Sequence, residues 1–239
     1  MFHTIFFQPI YNGLILLMDT FPLLDAGVAV ILFTCIIKLI LFPLSQKAVR
    51  NQLALKELQP EIDKIKIEYP DRQAQSLKTL ELYKAKGVNP FSSIILILIQ
   101  IPIIFALYQV FNTVATGVQA ADLYSFVHVP AQIQTVFLGW FDITATSPFV
   151  LALLVGITQY VQAHFTMPKI EKPHKDAKPS FQAELGRSMN VQMKYILPLV
   201  IFFISRSFSA ALSLYWITSN LFAIGQELYA RRKRTSVAR

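Results

Sequence analysis

The sequence predicts an all-α polytopic membrane protein, and three observations lead to that fold class. Hydrophobic residues make up 54% of the 239 positions and the mean hydropathy is +0.48, which is unusual for a soluble domain. Five apolar segments occur, and each approaches the roughly 20 residues that a helix needs to cross a bilayer. Twenty of the 22 Lys and Arg residues cluster in three stretches of the chain.

The five predicted transmembrane helices follow one another along most of the chain. They cover residues 23–44, 91–111, 148–165, 191–206 and 208–229. The third and the fourth are short for a bilayer core of about 30 Å. The fourth and the fifth meet at Arg206 and Ser207, which we interpret as a tight turn between two helices.

The chain before the first span is apolar and rich in aromatic residues. Residues 1–22 show no signal-peptide pattern, and Pro9 and Pro22 interrupt the apolar run. One interpretation is a short amphipathic helix that lies in the extracytoplasmic interface of the membrane. The other is a re-entrant or partly spanning piece, and the sequence leaves both open.

The distribution of positive charge predicts the orientation. Lys and Arg concentrate in residues 45–90, 166–194 and 230–239, whereas residues 1–22 and 112–147 contain none. Five spans place the three basic segments on one side of the membrane and the other two on the opposite side. The positive-inside rule then predicts an N-out, C-in protein of the bacterial cytoplasmic (inner) membrane. The net charge of +8 is explained by this topology, so we expect no binding to a specific nucleic-acid sequence.

The cytoplasmic segment 45–90 is predicted to form a charged helical hairpin. Leu and Ile recur at helical spacing on both sides of the turn signal Tyr69-Pro70-Asp71, and Pro60 should kink the first arm. The hairpin is either a solvated linker or a docking arm for a ribosome or an acidic lipid surface. The basic loop 166–190 and the basic tail 230–239 allow the same two interpretations.

Residue types that carry covalent or metal chemistry are scarce. Cys35 is the only cysteine, the four His are scattered, and no glycine-rich nucleotide-binding motif occurs. We therefore expect no catalytic residues, no metal site and no cofactor, and we do not expect an enzyme.

One Lys lies inside the first span. On insertion scales a charge at the centre of a bilayer costs about 2.5–3.5 kcal/mol, so Lys38 needs an explanation. It lies roughly 9 Å from the cytoplasmic end of the span at 1.5 Å per residue, so its side chain can snorkel to water. The alternative is that Lys38 points into a polar, water-filled groove, and physical reasoning alone does not separate the two.

Other polar side chains in the spans bear on this choice. Amides in hydrocarbon need partners or water, so such residues are either hydrogen-bonding pairs between helices or the lining of a common groove. A groove would open to the cytoplasm, because Lys38 lies in that half and the outer half of every span is apolar. The candidates are Thr34 and Lys38 in the first span, Gln100 in the second, Gln159 in the third, and Trp216 and Asn220 in the fifth.

Five short motifs occur in a fixed order: KLILFPL from Lys38, LQPE from Leu58, LYKAKGVNP from Leu82, QIPIIFALY from Gln100 and LYWITSNL from Leu214. Together they resemble the YidC/Oxa/Albino family of membrane protein insertases over roughly residues 5–230. The resemblance implies five transmembrane helices around a hydrophilic groove open to the cytoplasm, plus a cytoplasmic helical hairpin. It also implies that Lys38 is the basic residue of the groove and that Gln100, Gln159 and Trp216 line it.

The resemblance further implies insertion of newly made membrane proteins without covalent chemistry. Lys38 would attract acidic residues of a translocated segment, and the apolar helix of the substrate would leave sideways, past the third and fifth spans, into lipid. The implied partners are nascent membrane proteins, with a ribosome, a Sec-type translocon and anionic lipids meeting the hairpin and the basic tail.

Two other functions remain as alternatives. A small transporter or channel would need paired carboxylates or internal repeats, which the spans lack. A structural membrane assembly scaffold would need only a snorkelling Lys38.

Overall fold

The computed structural model describes residues 1–21, 23–89, 92–166, 188 and 190–237, apart from the side chains of 92–97 and 233–237. The described part is mostly helical, which confirms the predicted helical fold class, and it contains one two-stranded β-hairpin. The predicted basic loop 166–190 lies almost entirely outside the described residues, as do the last two residues of the tail.

The N-terminal segment forms a helix that is part of the protein core. A π-helical turn, His3–Phe7, leads directly into α1, Gln8–Thr20. Proline fits the first turn of a helix, where its missing N–H has no intrahelical partner, and Pro9 lies there. Helix α1 is buried along one face, at Tyr11, Leu14 and Ile15 among others, and packs against the second and sixth helices.

The first predicted span is bent in the structure. Helix α2, Ala26–Ile40, begins after Asp25, whose carboxylate accepts a hydrogen bond from the Val28 N–H at 2.9 Å. The helix ends at Leu41, and α3, Phe42–Glu57, continues at an angle of 67°. A proline in the first turn of α3 fits this break, because proline cannot continue the hydrogen bonding of α2.

Two antiparallel helices follow α3. They are α4, Gln59–Glu68, and α5, Arg72–Ala85, and they pack against each other. The Gln75 side chain donates to the carbonyls of Lys66 at 3.2 Å and Tyr69 at 2.6 Å, which holds the turn between the helices.

The remaining helices form one packed group. They are α6, Ser92–Thr116, α7, Phe149–Thr166, α8, Leu197–Ser205, which follows a π-helical turn at Gln192–Ile196, and α9, Ala210–Val237. Helix α9 packs against α2 and α7, and α8 packs against α7. The chain reverses direction between α8 and α9 at residues 206–209.

The connection between α6 and α7 contains a 3₁₀ turn and a short β-hairpin. The turn is Ala120–Asp122, and the strands are β1, Val136–Phe137, and β2, Phe141–Asp142. The strands pair antiparallel, with Val136 opposite Asp142. Strand β1 packs against α2.

Helix length and composition alone identify fewer membrane spans than the five predicted. Within the described residues, Leu98–Thr116 and Phe149–Thr166 are long and apolar enough to cross a bilayer, and the bent pair α2–α3 would count as a third span. Gln192–Ser205 is apolar but shorter, and α9 carries polar residues along its length. The five-span arrangement therefore stays a prediction.

The helices pack around one apolar core. The core is built from α1, from the N-terminal halves of α2 and α9, from the middle of α6 and from the α6–α7 connection. Tyr11, Val30, Val110 and Tyr215 are among its buried members. Lys38 lies beyond this core, in the last turn of α2.

Candidate functional site

Three helices meet at a small polar cluster around Lys38. The Lys38 Nζ donates a hydrogen bond to Gln100 Oε1 at 3.3 Å, and Gln100 Nε2 donates to the hydroxyl of Tyr215. We call Lys38, Gln100 and Tyr215 the Lys38 cluster. The cluster joins α2, α6 and α9. Lys38 and Gln100, the two residues that the sequence singled out first, are in direct contact.

The position of Lys38 in its helix is electrostatically favourable. It lies in the last turn of α2, where the partial negative charge of the helix C-terminus stabilises a cation. The half-buried side chain points toward α6, where its amine bonds to the Gln100 amide oxygen. The structure therefore places the Lys38 amine against an amide of a neighbouring helix.

Within the described residues, Lys38 has no carboxylate as an ion-pair partner. None of the ion pairs formed by the described residues includes it. A neutral amide offsets part of the cost of desolvating the ammonium group but leaves its full charge in place. The Lys38 cluster can therefore attract an anionic group that arrives from outside the protein.

Asn220 belongs to a separate contact between helices. Its Nδ2 donates to Thr158 Oγ1 at 3.2 Å, which joins α9 to α7. The Thr158 hydroxyl in turn donates to the Leu154 carbonyl at 2.8 Å. The buried Asn220 therefore fits the first interpretation of polar residues in the spans, in which they form hydrogen-bonding pairs between helices.

The other predicted groove residues are Thr34, Trp216 and Gln159. Thr34 and Trp216 lie close in sequence to members of the Lys38 cluster, and Gln159 lies on α7. Thr34 is buried, and its hydroxyl donates to the Val30 carbonyl of its own helix at 2.6 Å. Trp216 is half-buried and directly follows Tyr215. Gln159 lies on α7 and donates to Gln162 Oε1 at 3.3 Å. No hydrogen bond among the described residues joins Thr34, Gln159 or Trp216 to Lys38.

Sequence reasoning missed Tyr215 and Thr158. The candidates named on the fifth span, Trp216 and Asn220, lie four residues apart and form one polar stripe. A second stripe, one residue earlier, runs through Tyr215, Ser219 and Gln226. This second i, i+4, i+11 pattern could have identified Tyr215.

A second charged cluster lies at the C-terminal end of α7. The Glu227 carboxylate, whose side chain is 3% exposed, accepts from Arg231 Nη2 at 3.0 Å and lies 3.5 Å from Lys56 Nζ. Both cations also donate to the Phe165 carbonyl, Lys56 at 2.8 Å and Arg231 at 2.7 Å. We call Lys56, Glu227 and Arg231 the Glu227 cluster. It ties α3, α7 and α9 together.

Helix α9 lies between α6 and α7. In the described residues α6 packs against α1, α3 and α9, and no comparable packing joins α6 to α7. Helix α9, which carries Tyr215 and Trp216, packs against both. Trp216 on α9 is half-buried beside Tyr215 of the Lys38 cluster.

The packed apolar helices define a class, a helical membrane protein. The family model described as 60Kd inner membrane protein matches residues 17–237, which is most of the chain.

Relatives with printed functions are similar over most of the chain. A "Membrane protein insertase YidC" of Clostridium tetani is 36% identical over 214 residues, which are 89% of this chain and 84% of the relative. One from Fusobacterium nucleatum is 34% identical over 212 residues, 87% of this chain and 86% of the relative. One from Francisella tularensis subsp. novicida is 35% identical over 204 residues, which are 84% of this chain but 31% of that longer protein.

A solved structure has a similar fold. It is described as "Active YidC insertase crystal structure with the first transmembrane domain resolved", with a TM-score of 0.59 and 27% sequence identity. The similarity covers 92% of this chain and 46% of that one. The chain therefore belongs to the YidC/Oxa/Albino family, and it is an inner membrane protein.

Proposed function

We propose that this chain is a membrane protein insertase that receives a nascent membrane protein in a hydrophilic groove and releases its helices laterally into the bilayer. The observation that carries the proposal is the state of Lys38. Its amine is bonded to an amide between three helices and has no carboxylate partner among the described residues. The family membership supports the same function.

The proposed topology has five spans, with the N-terminus outside and the C-terminus in the cytoplasm. The distribution of Lys and Arg supports it, because residues 1–22 and 112–147 carry none. In this topology α3, α4 and α5 lie on the cytoplasmic side, and the β1–β2 hairpin lies outside. The Glu227 cluster then marks the cytoplasmic ends of α7 and α9.

The proposed groove has α9 as its floor and α6 and α7 as its sides. Lys38, Gln100, Gln159 and Trp216 would line it, since each is only partly buried. Thr34 and Asn220 are buried, so we assign them to the packing behind the lining. A substrate helix would pass α7 on the side that faces α6. It would not pass between α7 and α9, because these two helices pack closely against each other.

The charge of Lys38 can bias insertion but cannot drive it. Two unit charges 4 Å apart attract by about 4 kcal/mol at an effective dielectric constant of 20. Burial of apolar area contributes about 25 cal/mol per Å², so a substrate helix that transfers about 1,000 Å² to lipid gains about 25 kcal/mol. Lys38 would therefore position an acidic segment while the lipid supplies the driving force.

Short helices beside the groove would lower the barrier to moving a polar segment across. Helix α2 has 15 residues, which span about 22 Å at 1.5 Å per residue, and Gln192–Ser205 is shorter still. A bilayer core of about 30 Å thins locally to match helices of this length. Thinner hydrocarbon shortens the path that the translocated segment of the substrate must cross.

The cytoplasmic hairpin α4–α5 offers a surface for partners. Ile67 and Leu77 are exposed large apolar residues beside several Lys, and no described contact covers them. We propose that this hairpin, with the basic tail 230–239, meets a ribosome, a Sec-type translocon or anionic lipids.

The central experiment replaces Lys38 in cells depleted of their own insertase. Lys38→Ala should impair insertion of a substrate with an acidic translocated tail, and Lys38→Arg should keep it. The matched control is the same substrate with its tail carboxylates changed to amides, whose insertion should depend little on Lys38. Full activity of Lys38→Ala on the acidic substrate would overturn the electrostatic role.

Crosslinking separates an insertase from an assembly scaffold. A photo-crosslinking residue at Gln159 or Trp216 should capture a ribosome-bound nascent membrane protein, because both positions line the proposed groove. The same probe at Leu16, an exposed position on α1, is the control and should capture far less. Equal capture at all three positions would favour a scaffold with no defined groove.

A further inference from the structure

The β1–β2 hairpin carries two large apolar side chains at its tip. Trp140 is 86% exposed and Leu138 is 65% exposed, and both lie in the turn between the strands. The segment 112–147 that contains them has no Lys or Arg. Exposed apolar residues on helices of a membrane protein face lipid, but these two lie outside every predicted span and need another explanation.

The backbone at the tip makes Leu138 an unusual choice. Leu138 and Gly139 have φ values of 47° and 77°, and the Trp140 N–H donates to the Phe137 carbonyl at 2.8 Å. Residues 137–140 form a β-turn within the three-residue connection between Phe137 and Phe141. Its two central positions have positive φ, which favours Asn, Asp or Gly at the first. A bulky Leu in the left-handed region is disfavoured. The tip therefore carries an apolar side chain where a polar one would fit the backbone better.

The hairpin is held firmly against the N-terminal end of α2. The ring of Phe137 packs on Gly27 so closely that any Cβ at position 27 would overlap it. One oxygen of Asp25 caps α2 through Val28, and the other accepts from the Leu138 N–H at 3.3 Å. The tip thus keeps a fixed position relative to the end of α2.

The surroundings of the tip identify a lipid surface as its partner. Leu23, which is 93% exposed, and the exposed Phe21 lie in the short link that leads into α2. Farther along α2, Leu32 and Ile36 are exposed as well, so apolar surface continues from the link into the membrane-facing part of the helix. Tryptophan prefers the boundary between headgroups and acyl chains, where its ring is apolar and its N–H still meets water.

We propose that Leu138 and Trp140 insert into the membrane interface and anchor the end of α2 there. The occupant of this surface is lipid at the headgroup–acyl boundary. The proposal rests on the proposed topology only for the identity of the leaflet, which is the outer one in an N-out protein. Insertion of the tip is independent of insertase activity and can be tested without it.

The two tryptophans of the chain make the test direct. Trp216→Phe leaves Trp140 as the single tryptophan of the full-length protein. The variant is reconstituted into phosphatidylcholine vesicles that carry bromine either near the headgroup or deep in the acyl chains. We expect a blue-shifted Trp140 emission that is quenched more by shallow than by deep bromine and only weakly by aqueous iodide.

Two further variants control for misfolding and for Trp216. Trp140→Phe in the otherwise unchanged chain gives the signal of Trp216 alone. Leu138→Asp in the Trp216→Phe background should cause a loss of the shallow quenching of Trp140, while the melting temperature in detergent stays close to that of the parent. Emission typical of water with iodide quenching but no bromine quenching would overturn the proposal. So would protection of Trp140 from both quenchers, which would indicate a protein partner or a second copy of the chain.

Discussion

Lys38 and Glu227 are both charged side chains packed between helices, but their partners differ. Glu227 is nearly buried and contacts two cations, so its charge is neutralised within the protein. Lys38 contacts the neutral amide of Gln100 and keeps its charge. Buried ion pairs stabilise contacts between elements, whereas an unpaired cation invites an anionic ligand. This contrast is the residue-level reason why we propose a structural role for Glu227 and a functional role for Lys38.

A substitution at Leu138 tests whether this residue stabilises the turn or instead provides an apolar surface at the cost of backbone strain. Leu138→Asn should raise the free energy of unfolding in detergent by about 1 kcal/mol, because Asn tolerates the left-handed backbone and Leu does not. Thermal unfolding in detergent micelles measures the change. Leu138→Ala, which removes the apolar contact without relieving the backbone, is the control and should give no gain. A loss of stability in Leu138→Asn would mean that Leu138 packs within the folded protein.

Helix α9 organises the elements. It contacts α2, α3, α6 and α7. It contains members of the Lys38 cluster and of the Glu227 cluster, and its Asn220 donates to Thr158 on α7. Several of its polar residues, among them Tyr215, Asn220 and Glu227, join it to neighbouring helices.

The Glu227 cluster should hold α3, α7 and α9 together. Glu227→Gln leaves the mostly buried Lys56 without its ion-pair partner, and it should lower the free energy of unfolding by on the order of 3 kcal/mol. Thermal unfolding of the purified protein in detergent measures the loss. The matched control is Glu81→Gln, which removes an exposed ion pair with Lys78 and should change stability little. Similar effects of the two substitutions would show that burial of Glu227 contributes nothing.

At the scale of the whole molecule, the orientation in the membrane can be measured by labelling single introduced cysteines. Cys35 is the only cysteine, so Cys35→Ser gives a cysteine-free background. In intact spheroplasts, an impermeant maleimide should label Gln132→Cys in the exposed connection after α6, because that connection carries no Lys or Arg and is predicted to lie outside. Gln73→Cys, exposed at the start of α5, should be labelled only after lysis. The reverse pattern would contradict the N-out, C-in topology.

The sequence alone determined the helical membrane character and the family, and it singled out Lys38 and Gln100, which lie in contact in the structure. Apolar segments, charge distribution and ordered motifs are properties of the chain itself, and they do not depend on how the helices pack. Other features depended on contacts between residues far apart in sequence. The partner of Gln100 is Tyr215, 115 residues away, and the position of Asp25 against Leu138 joins residues 113 apart.

Tertiary structure also decided the shape of the elements. Hydropathy predicts a continuous first span over 23–44, because Leu41 and Phe42 are as apolar as their neighbours, but the chain bends there by 67°. The pattern of residues 1–22 allows an interfacial or a re-entrant segment. In the structure one face of α1 is buried, because α2 and α6 pack against this helix. Periodicity specifies which residues share a face of a helix. Which neighbour covers that face, and whether a polar residue there meets an amide, a carboxylate or an open flank, is set by packing of the whole chain.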